Sequence, residues 1–407
     1  MAGIFSGENM QAFLEFLESG LLDLGVLGYV VAVLVMTHVT IVSVTIYLHR
    51  AQAHRSVDLH PVVAHFFRFW LWLTTGMRTI EWVAIHRKHH AHTETEEDPH
   101  SPHQVGIWKV LLQGTELYRA EARNRETLDK YGHGTPDDWM ERNVYARFES
   151  GGIVLLGVLS LLLFGVVGMT IWALQMMWIP LWAAGVINGL GHYLGYRNFE
   201  SADGSTNLSP LGLLIGGEEM HNNHHAFPSS AKFSQRWYEF DVGWFYLRIL
   251  AALRLARIKR VAPSPVIDPA KRSIDFETVK AVVVARMHVM RSYATRVTLP
   301  VLRAELARAD ARYRRLLKRV RGALVREESR IDEREKAERD RALRVSERLQ
   351  TVYEYRRRLQ DLFAARTLSQ EKLVQSLQEW CASAEASGIK ALQDFARYLR
   401  GYRLKTT

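Results

Sequence analysis

Cysteine occurs once in the 407 residues, at Cys381, which excludes a disulfide framework and any thiolate metal cluster. Any metal held by this chain must therefore rest on nitrogen and oxygen ligands. Histidine and proline are scarce in the last third: 16 of the 17 histidines lie at or before His225, and Pro300 is the only proline beyond Pro269. Basic residues are missing from the start, with no Lys or Arg before Arg50, so the first twenty residues lack the basic segment of a cleaved signal peptide. Membrane insertion would then fall to uncleaved spans.

The charge balance divides the chain. Residues 1–270 hold 21 basic and 25 acidic side chains, whereas residues 271–407 hold 32 and 18, so a net charge of −4 gives way to +14. Long uncharged runs occur only in the first part. Residues 20–48 are interrupted by Asp23 and His38 alone, and at about 1.5 Å per residue they are long enough to cross a hydrocarbon core of about 30 Å. Residues 151–193 carry no charge and are too long for one span, which predicts a hairpin of two hinged near residues 175–180. Residues 61–77 form a shorter apolar stretch containing His65 and Arg68, read as interfacial. Lys and Arg following His49, Arg78 and Arg197 place these polar segments on the cytoplasmic side.

Three histidine clusters follow the apolar runs: His49 with His54, then His86, His89 and His90, then His221, His224 and His225. On a helix, positions i, i+3 and i+4 share a face, so each HxxHH set presents three imidazoles together. Asn188 and His192, four residues apart, close the last apolar run. If residues 61–77 do not cross and 151–193 cross twice, all nine histidines and Asn188 reach one side. Nine imidazoles without cysteine suit a pair of redox-active first-row metal ions, iron foremost. A single histidine near an interface is usually only an anchor, and that reading is kept for His60, His65, His92, His100, His103, His133 and His288.

These residues resemble the membrane fatty-acyl desaturases of the stearoyl-CoA desaturase type. The matching motifs are His49-Arg50 with His54-Arg55; Glu81-Trp82 before His86-Arg87-Lys88-His89-His90; Asp98-Pro99-His100-Ser101; Asn188 before His192 and Gly195-Tyr196-Arg197; and Gly217-Glu218 before His221-Asn222-Asn223-His224-His225-Ala226-Phe227-Pro228. They occur in order over residues 20–260. The resemblance implies an all-α integral membrane protein with a histidine-rich helical cap in the cytoplasm, in a bacterial cytoplasmic membrane. It implies two iron ions held by His49, His54, His86, His89, His90, His192, His221, His224 and His225, with Asn188 holding a water on one of them. It further implies O2 as co-substrate, an acyl chain of C16 or C18 desaturated at cis-Δ9, and a separate electron donor such as ferredoxin, a flavin reductase or a cytochrome b5-like protein. No catalytic side chain beyond the metal centre is implied, and Trp82 is the one named candidate for a tunnel wall. Where acyl-CoA relatives in animals carry Arg-Asp before the second cluster, this chain has Ala84 and Ile85; that favours a phospholipid-linked chain over acyl-CoA. Alkyl hydroxylases with similar clusters are the main enzymatic rival, and a membrane metal carrier is the non-enzymatic one.

Residues 261–300 read as a linker and 301–407 as a basic helical extension. Leu302, Leu306, Ala309, Tyr313, Leu316, Val320 and Ala323 alternate in a 4-3 spacing, and Val345, Leu349, Val352, Leu359 and Phe363 form a less regular second seam. Long helices follow from this, as an antiparallel pair or as a coiled coil between copies. Their charge would attract anionic headgroups or an acidic donor. No nucleic-acid motif is evident, and the extension lacks the His-Pro-Gly-Gly sequence of a fused cytochrome b5.

Overall fold

The computed structural model describes residues 7–365 and 369–404. They fall into two units, residues 7–197 with 203–262 and residues 198–202 with 263–404. In the first unit, α1 (Gly7–Ser19) leads through a turn to α2 (Val26–Ser43), which continues without a break into a π-helix, Val44–Ala53. The apolar run predicted from the sequence is thus one helix of 28 residues, Val26–Ala53, long and apolar enough to cross a membrane. A second such helix is Val167–Leu190, made of α9 (Val167–Ile179) and a π-helix from Pro180 to Leu190.

The hairpin expected over 151–193 is present, but its hinge is not at residues 175–180. It lies between α8 (Gly151–Phe164) and α9, at Gly165, whose φ of 62° is open to glycine and strained for other residues. Pro180 sits where the winding changes from α to π, so the helix runs on through it. The short apolar stretch forms α3 (Pro61–Thr75), ended by Gly76 in the left-handed region, and α4 (Thr79–His92) turns back from it.

Three further helices follow α4: α5 (Pro102–Val105), α6 (Ile107–Ala122) and α7 (Arg125–Tyr131). After the hairpin come α10 (His221–Ala226) and α11 (Val242–Ala252). Short strands tie the loops: β1 (Val57–Leu59) pairs antiparallel with β4 (Ala256–Ile258), and β2 (Leu211–Gly212) parallel with β3 (Phe240–Asp241). Val44, Ile46, Tyr47, Leu48, Phe67 and Leu71 form the centre of this unit's buried core.

The second unit contradicts both the linker and the long helices. Among the described residues eight α-helices form it: α12 (Phe276–Val284), α13 (Arg286–Tyr293), α14 (Leu299–Arg308), α15 (Ala311–Val320), α16 (Glu333–Val345), α17 (Glu347–Ala364), α18 (Gln370–Ala386) and α19 (Lys390–Arg400), with a π-helical turn, Ala294–Thr298, joining α13 to α14. A strand pair, β5 (Pro265–Ile267) with β6 (Tyr402–Leu404), joins its ends. Val279, Val282, Val289 and Tyr293, all inside the expected linker, belong to the buried core with Trp380 and Phe395. The 4-3 seam is cut between Ala309 and Asp310, because the Asp310 carboxylate accepts from the Tyr313 N–H and starts a new helix. Asp332 and Ser346 start α16 and α17 in the same way. Leu302, Leu316 and Val320 are buried inside this unit itself, so the apolar seam is satisfied within one chain.

Candidate metal centre

His49 and His54 are five residues apart. At the α-helical 100° per residue they would point about 140° away from each other. The π-helix resolves this: its i→i+5 bonds, including His54 N–H to the His49 carbonyl at 3.1 Å, stack residues five apart on one face. Their rings lie 4.9 Å apart. α4 supplies His86, His89 and His90, α10 supplies His221, His224 and His225, and His192 follows the π-helix that contains Asn188. Although α10 is short, it is fixed from behind: Asn223 takes its N–H to the Asn207 side chain and donates from Nδ2 to Glu239 at 2.8 Å. Glu219 accepts the backbone N–H groups of Leu214, Ile215 and Gly217, which sets the turn before it.

All nine predicted histidines converge, in two groups whose ligand atoms lie within 4.8 Å of one another: His49, His54, His86, His90 and His224, and His89, His192, His221 and His225. Within the first, Nε2 atoms face one another at 3.0 Å (His49 with His224), 2.8 Å (His224 with His90) and 2.8 Å (His54 with His86). In the second, His192 Nε2 and His221 Nε2 are 2.9 Å apart.

Carboxylates stand behind the rings. Glu218 lies 2.6 Å from His49 Nδ1, Asp98 3.0 Å from His89 Nδ1, Asp203 3.1 Å from His225 Nδ1, and Glu94 3.4 Å from His192 Nδ1. Such a carboxylate keeps the proton on Nδ1 and turns the Nε2 lone pair outward. His49 and His192 thereby offer Nε2 as an acceptor to the rings they face, and nitrogens crowded this closely are an arrangement that a shared cation makes favourable. His89 Nε2 and His225 Nε2 are buried with no hydrogen-bond partner among the described residues, pointing to the same conclusion for the second group. The donor set therefore fits two nitrogen-ligated metal ions. Burial, reinforced by neighbouring imidazoles, holds His86, His90 and His224 far below 6.5 and His54 at about 3, so the rings are neutral ligands at physiological pH. Asp98 is held well below the usual carboxylate range, its burial being outweighed by His89 beside it.

The four carboxylates carry no histidine-like spacing signal, and sequence reasoning assigned them no role. His100, which the sequence reading kept as structural, stands next to this set. It is buried, its ring stacks 4.5 Å from that of His89, and it groups with His89 and Asp98. The remaining histidines kept as structural do other work: His60 accepts from Val62 N–H to cap α3, His92 bonds the Tyr131 hydroxyl at 2.8 Å, and His103 Nε2 lies 2.9 Å from the His192 carbonyl.

Arg50, beside His49 and fully buried, locks the first cluster to the last. It pairs with Asp241 at 2.8 Å, donates to the carbonyls of Gly216 and Ala231, and lies over the Phe233 ring. Arg87 fastens α4 to the π-helix through the Gln52 and Ala53 carbonyls.

A cavity of about 680 Å³ runs past the histidines. His49, His86 and His221 meet it, as does Asn188, and much of the wall is apolar. Trp82 lines it too, stacked on His86 at 4.8 Å, in the place the sequence expected. Its volume is that of an ordinary small-molecule site.

Histidine groups able to hold metal ions beside a largely apolar cavity suit an oxidoreductase that acts on apolar chains, and comparison names the family. The fatty acid desaturase profile matches residues 24–264, and the chain belongs to that family. It is 30% identical to the sn-1 stearoyl-lipid 9-desaturase of Anabaena variabilis, over 54% of this chain and 79% of the relative. It is 32% identical to the Delta-9 acyl-lipid desaturase 1 of Arabidopsis thaliana, over 53% of this chain and 69% of the relative. An acyl-CoA 5-desaturase of Anemone leveillei is 28% identical over 57% of this chain. The protein is an oxidoreductase that desaturates fatty-acyl chains. Residues 275–406 separately match a transposase profile, a likeness that no short motif in the basic extension announces.

Proposed function

We propose that this protein introduces a cis-Δ9 double bond into a C16 or C18 acyl chain carried by a membrane phospholipid, using O2 and a diiron centre held by the nine histidines. The observation that carries the reading is the pair of facing imidazole groups on the wall of an apolar cavity. When bound, the two irons supply the oxidising power that an unactivated C–H bond requires. The saturated pair of methylenes gives up two hydrogens. With two electrons from a separate donor and two protons, O2 leaves as two waters.

The chain's own residues do the rest. Glu218, Asp98, Asp203 and Glu94 hold the imidazoles in one tautomer and orientation. The cavity wall, with Trp82, Ile85, Ile179 and Ile187, confines the acyl chain beside the histidines and keeps bulk water away. Asn188 faces the same space with an amide able to hold a water at one metal. Ala84 and Ile85 are both buried, which leaves no charged pair there to grip a soluble carrier and supports the lipid-linked substrate. Several similar proteins are named for lipid-linked substrates and others for acyl-CoA.

In this reading Val26–Ala53 crosses the membrane once and the hairpin of α8 with Val167–Leu190 crosses and returns, which leaves the histidines together on the cytoplasmic side of a bacterial cytoplasmic membrane. A ferredoxin, flavin reductase or cytochrome b5-like protein brings the electrons, and the basic second unit offers it an electrostatic surface. The test is expression with a donor in a bacterium that makes no unsaturated lipid by this route, beside His224→Ala, with fatty acids resolved by lipid class and double-bond position. New cis-Δ9 chains in phospholipid, absent from the variant, are the expected result. Hydroxylated chains would transfer the reading to the hydroxylases, and an unchanged profile would refute it.

A further inference from the structure

The cavity is lined by a tyrosine that nothing described above uses. Tyr118 lies on α6, five residues past Gln113, where non-helical angles (φ −129°, ψ 24°) kink the helix. Its side chain lines the cavity, and its hydroxyl oxygen is buried with no hydrogen-bond partner among the described residues. Buried hydroxyls are rarely left so, and one on a residue that lines a substrate cavity has the substrate as its nearest source of a partner. We propose that Tyr118 donates a hydrogen bond to the carbonyl oxygen joining the acyl chain to its carrier, and so fixes which methylenes reach the histidines. This rests on the desaturase reading above.

Three further observations support the assignment. Burial and the nearby Glu81 carboxyl hold the phenol well above its ordinary value, so it remains a donor throughout the physiological range. Next on α6, Arg119 and Arg123 line the same cavity one turn apart, with no ion pair among the described residues. Guanidinium groups there make this the polar end, where a phosphate-bearing carrier belongs.

The spacing also agrees. Tyr118 lies within electrostatic reach of Glu81, and both line the cavity. Glu81 precedes His86 by five residues and His90 by nine on the single helix α4, a rise of about 7.5 and about 13.5 Å. An extended alkyl chain built of C–C bonds of about 1.5 Å advances about 1.25 Å per bond, which carries C9 and C10 about 10–11 Å from the carbonyl carbon. A carbonyl held beside Glu81 therefore brings those carbons level with the stretch of α4 between His86 and His90.

The test uses the full chain in lipid nanodiscs with a ferredoxin and its reductase, comparing wild type with Tyr118→Phe. Double-bond positions are read by mass spectrometry of the derivatised products. Phenylalanine keeps the ring and removes the donor; iron content and melting temperature report whether the fold survives. With a distearoyl ester phospholipid, wild type is expected to give one dominant positional isomer. Tyr118→Phe is expected to lower the ratio of that isomer to its neighbours by about three- to tenfold, the worth of one buried hydrogen bond. A dialkyl ether phospholipid, which has no carbonyl, should loosen wild type to the same degree and leave Tyr118→Phe unaffected. Stearoyl-CoA supplied instead asks whether a thioester carbonyl is held in the same way. An unaltered isomer ratio in Tyr118→Phe overturns the proposal, and so does an unaltered ratio for wild type on the ether lipid, which needs no variant to fold. If wild type makes no unsaturated product at all, the functional reading fails and not merely this assignment.

Discussion

Asp98→Asn isolates the contribution of a carboxylate that stands behind a histidine ring. Asp98 is buried, and its two oxygens accept three hydrogen bonds: Oδ1 from His89 Nδ1 at 3.0 Å and from the His100 N–H at 3.2 Å, Oδ2 from the Glu94 N–H at 2.8 Å. Asparagine has the same shape but only one accepting oxygen, so its NH2 must face an N–H on one side or the other. At least one buried donor is left unpaired, at a cost of about 1–3 kcal/mol, and His89 loses the anion that fixes its tautomer. Outer carboxylates of this kind contribute roughly 10- to 100-fold to metal affinity. The second histidine group should therefore release its ion first. The assay is anaerobic iron titration against a competing chelator, with iron counted per chain. At a chelator concentration where wild type keeps two irons, Asp98→Asn is expected to keep one. Glu97→Gln, removing an exposed partner of His92 at 3.4 Å, should match wild type. Retention of both irons by Asp98→Asn at wild-type affinity would refute the role given to the outer carboxylates.

Asp241→Asn should destabilise the first unit by about 3–5 kcal/mol, since it leaves Arg50 charged and buried without its counter-ion; denaturation in detergent measures this, and a loss below 1 kcal/mol would contradict it. Glu81→Gln carries a pH signature. Burial raises Glu81 from 4.5 to about 7; its protonated form favours the fold below pH 4.5, and that contribution is lost as pH rises to about 7, so the glutamine variant should gain up to about 3 kcal/mol on wild type between pH 5 and 8. A melting-temperature difference that does not vary with pH over that range is the contrary result. Trp380→Ala removes an aromatic packed on Tyr293, Tyr355 and Phe395, costing about 3–5 kcal/mol; calorimetry should show one transition falling while iron content is unchanged, and loss of iron would tie the two units together.

The histidines were legible in the sequence because helical spacing is a local property: HxxHH puts three rings on one face whatever surrounds the helix. His49 and His54 were harder, since their five-residue separation fits no α-helical face and only the π-helix unites them. The outer carboxylates were not legible as a set. Glu94 and Asp98 share the loop after α4 while Asp203 and Glu218 come from two others, and nothing but tertiary packing pairs each with its ring. The misplaced hairpin hinge came from trusting Pro180 over Gly165, although the helix runs on through the proline and a positive φ requires glycine. In the second unit the apolar periodicity was real and its continuity was not. Asp310, Asp332 and Ser346, each followed by an accepted backbone N–H three residues on, marked the breaks.

The π-helical stretch from Val44 to Ala53 makes the first cluster a spring loaded by its own metal. Such a winding is rarer and less favourable than the α-helix, so without an ion to bridge His49 and His54 the backbone has reason to relax by slipping one residue. Relaxation would swing His54 off the face, and Arg87, which holds the Gln52 and Ala53 carbonyls, would have to let go. On the proposed reading, part of the free energy of metal binding would be spent in holding this backbone winding. Deleting one residue between His49 and His54 would remove the need for that winding, since at i, i+4 the two rings share the face of an ordinary α-helix.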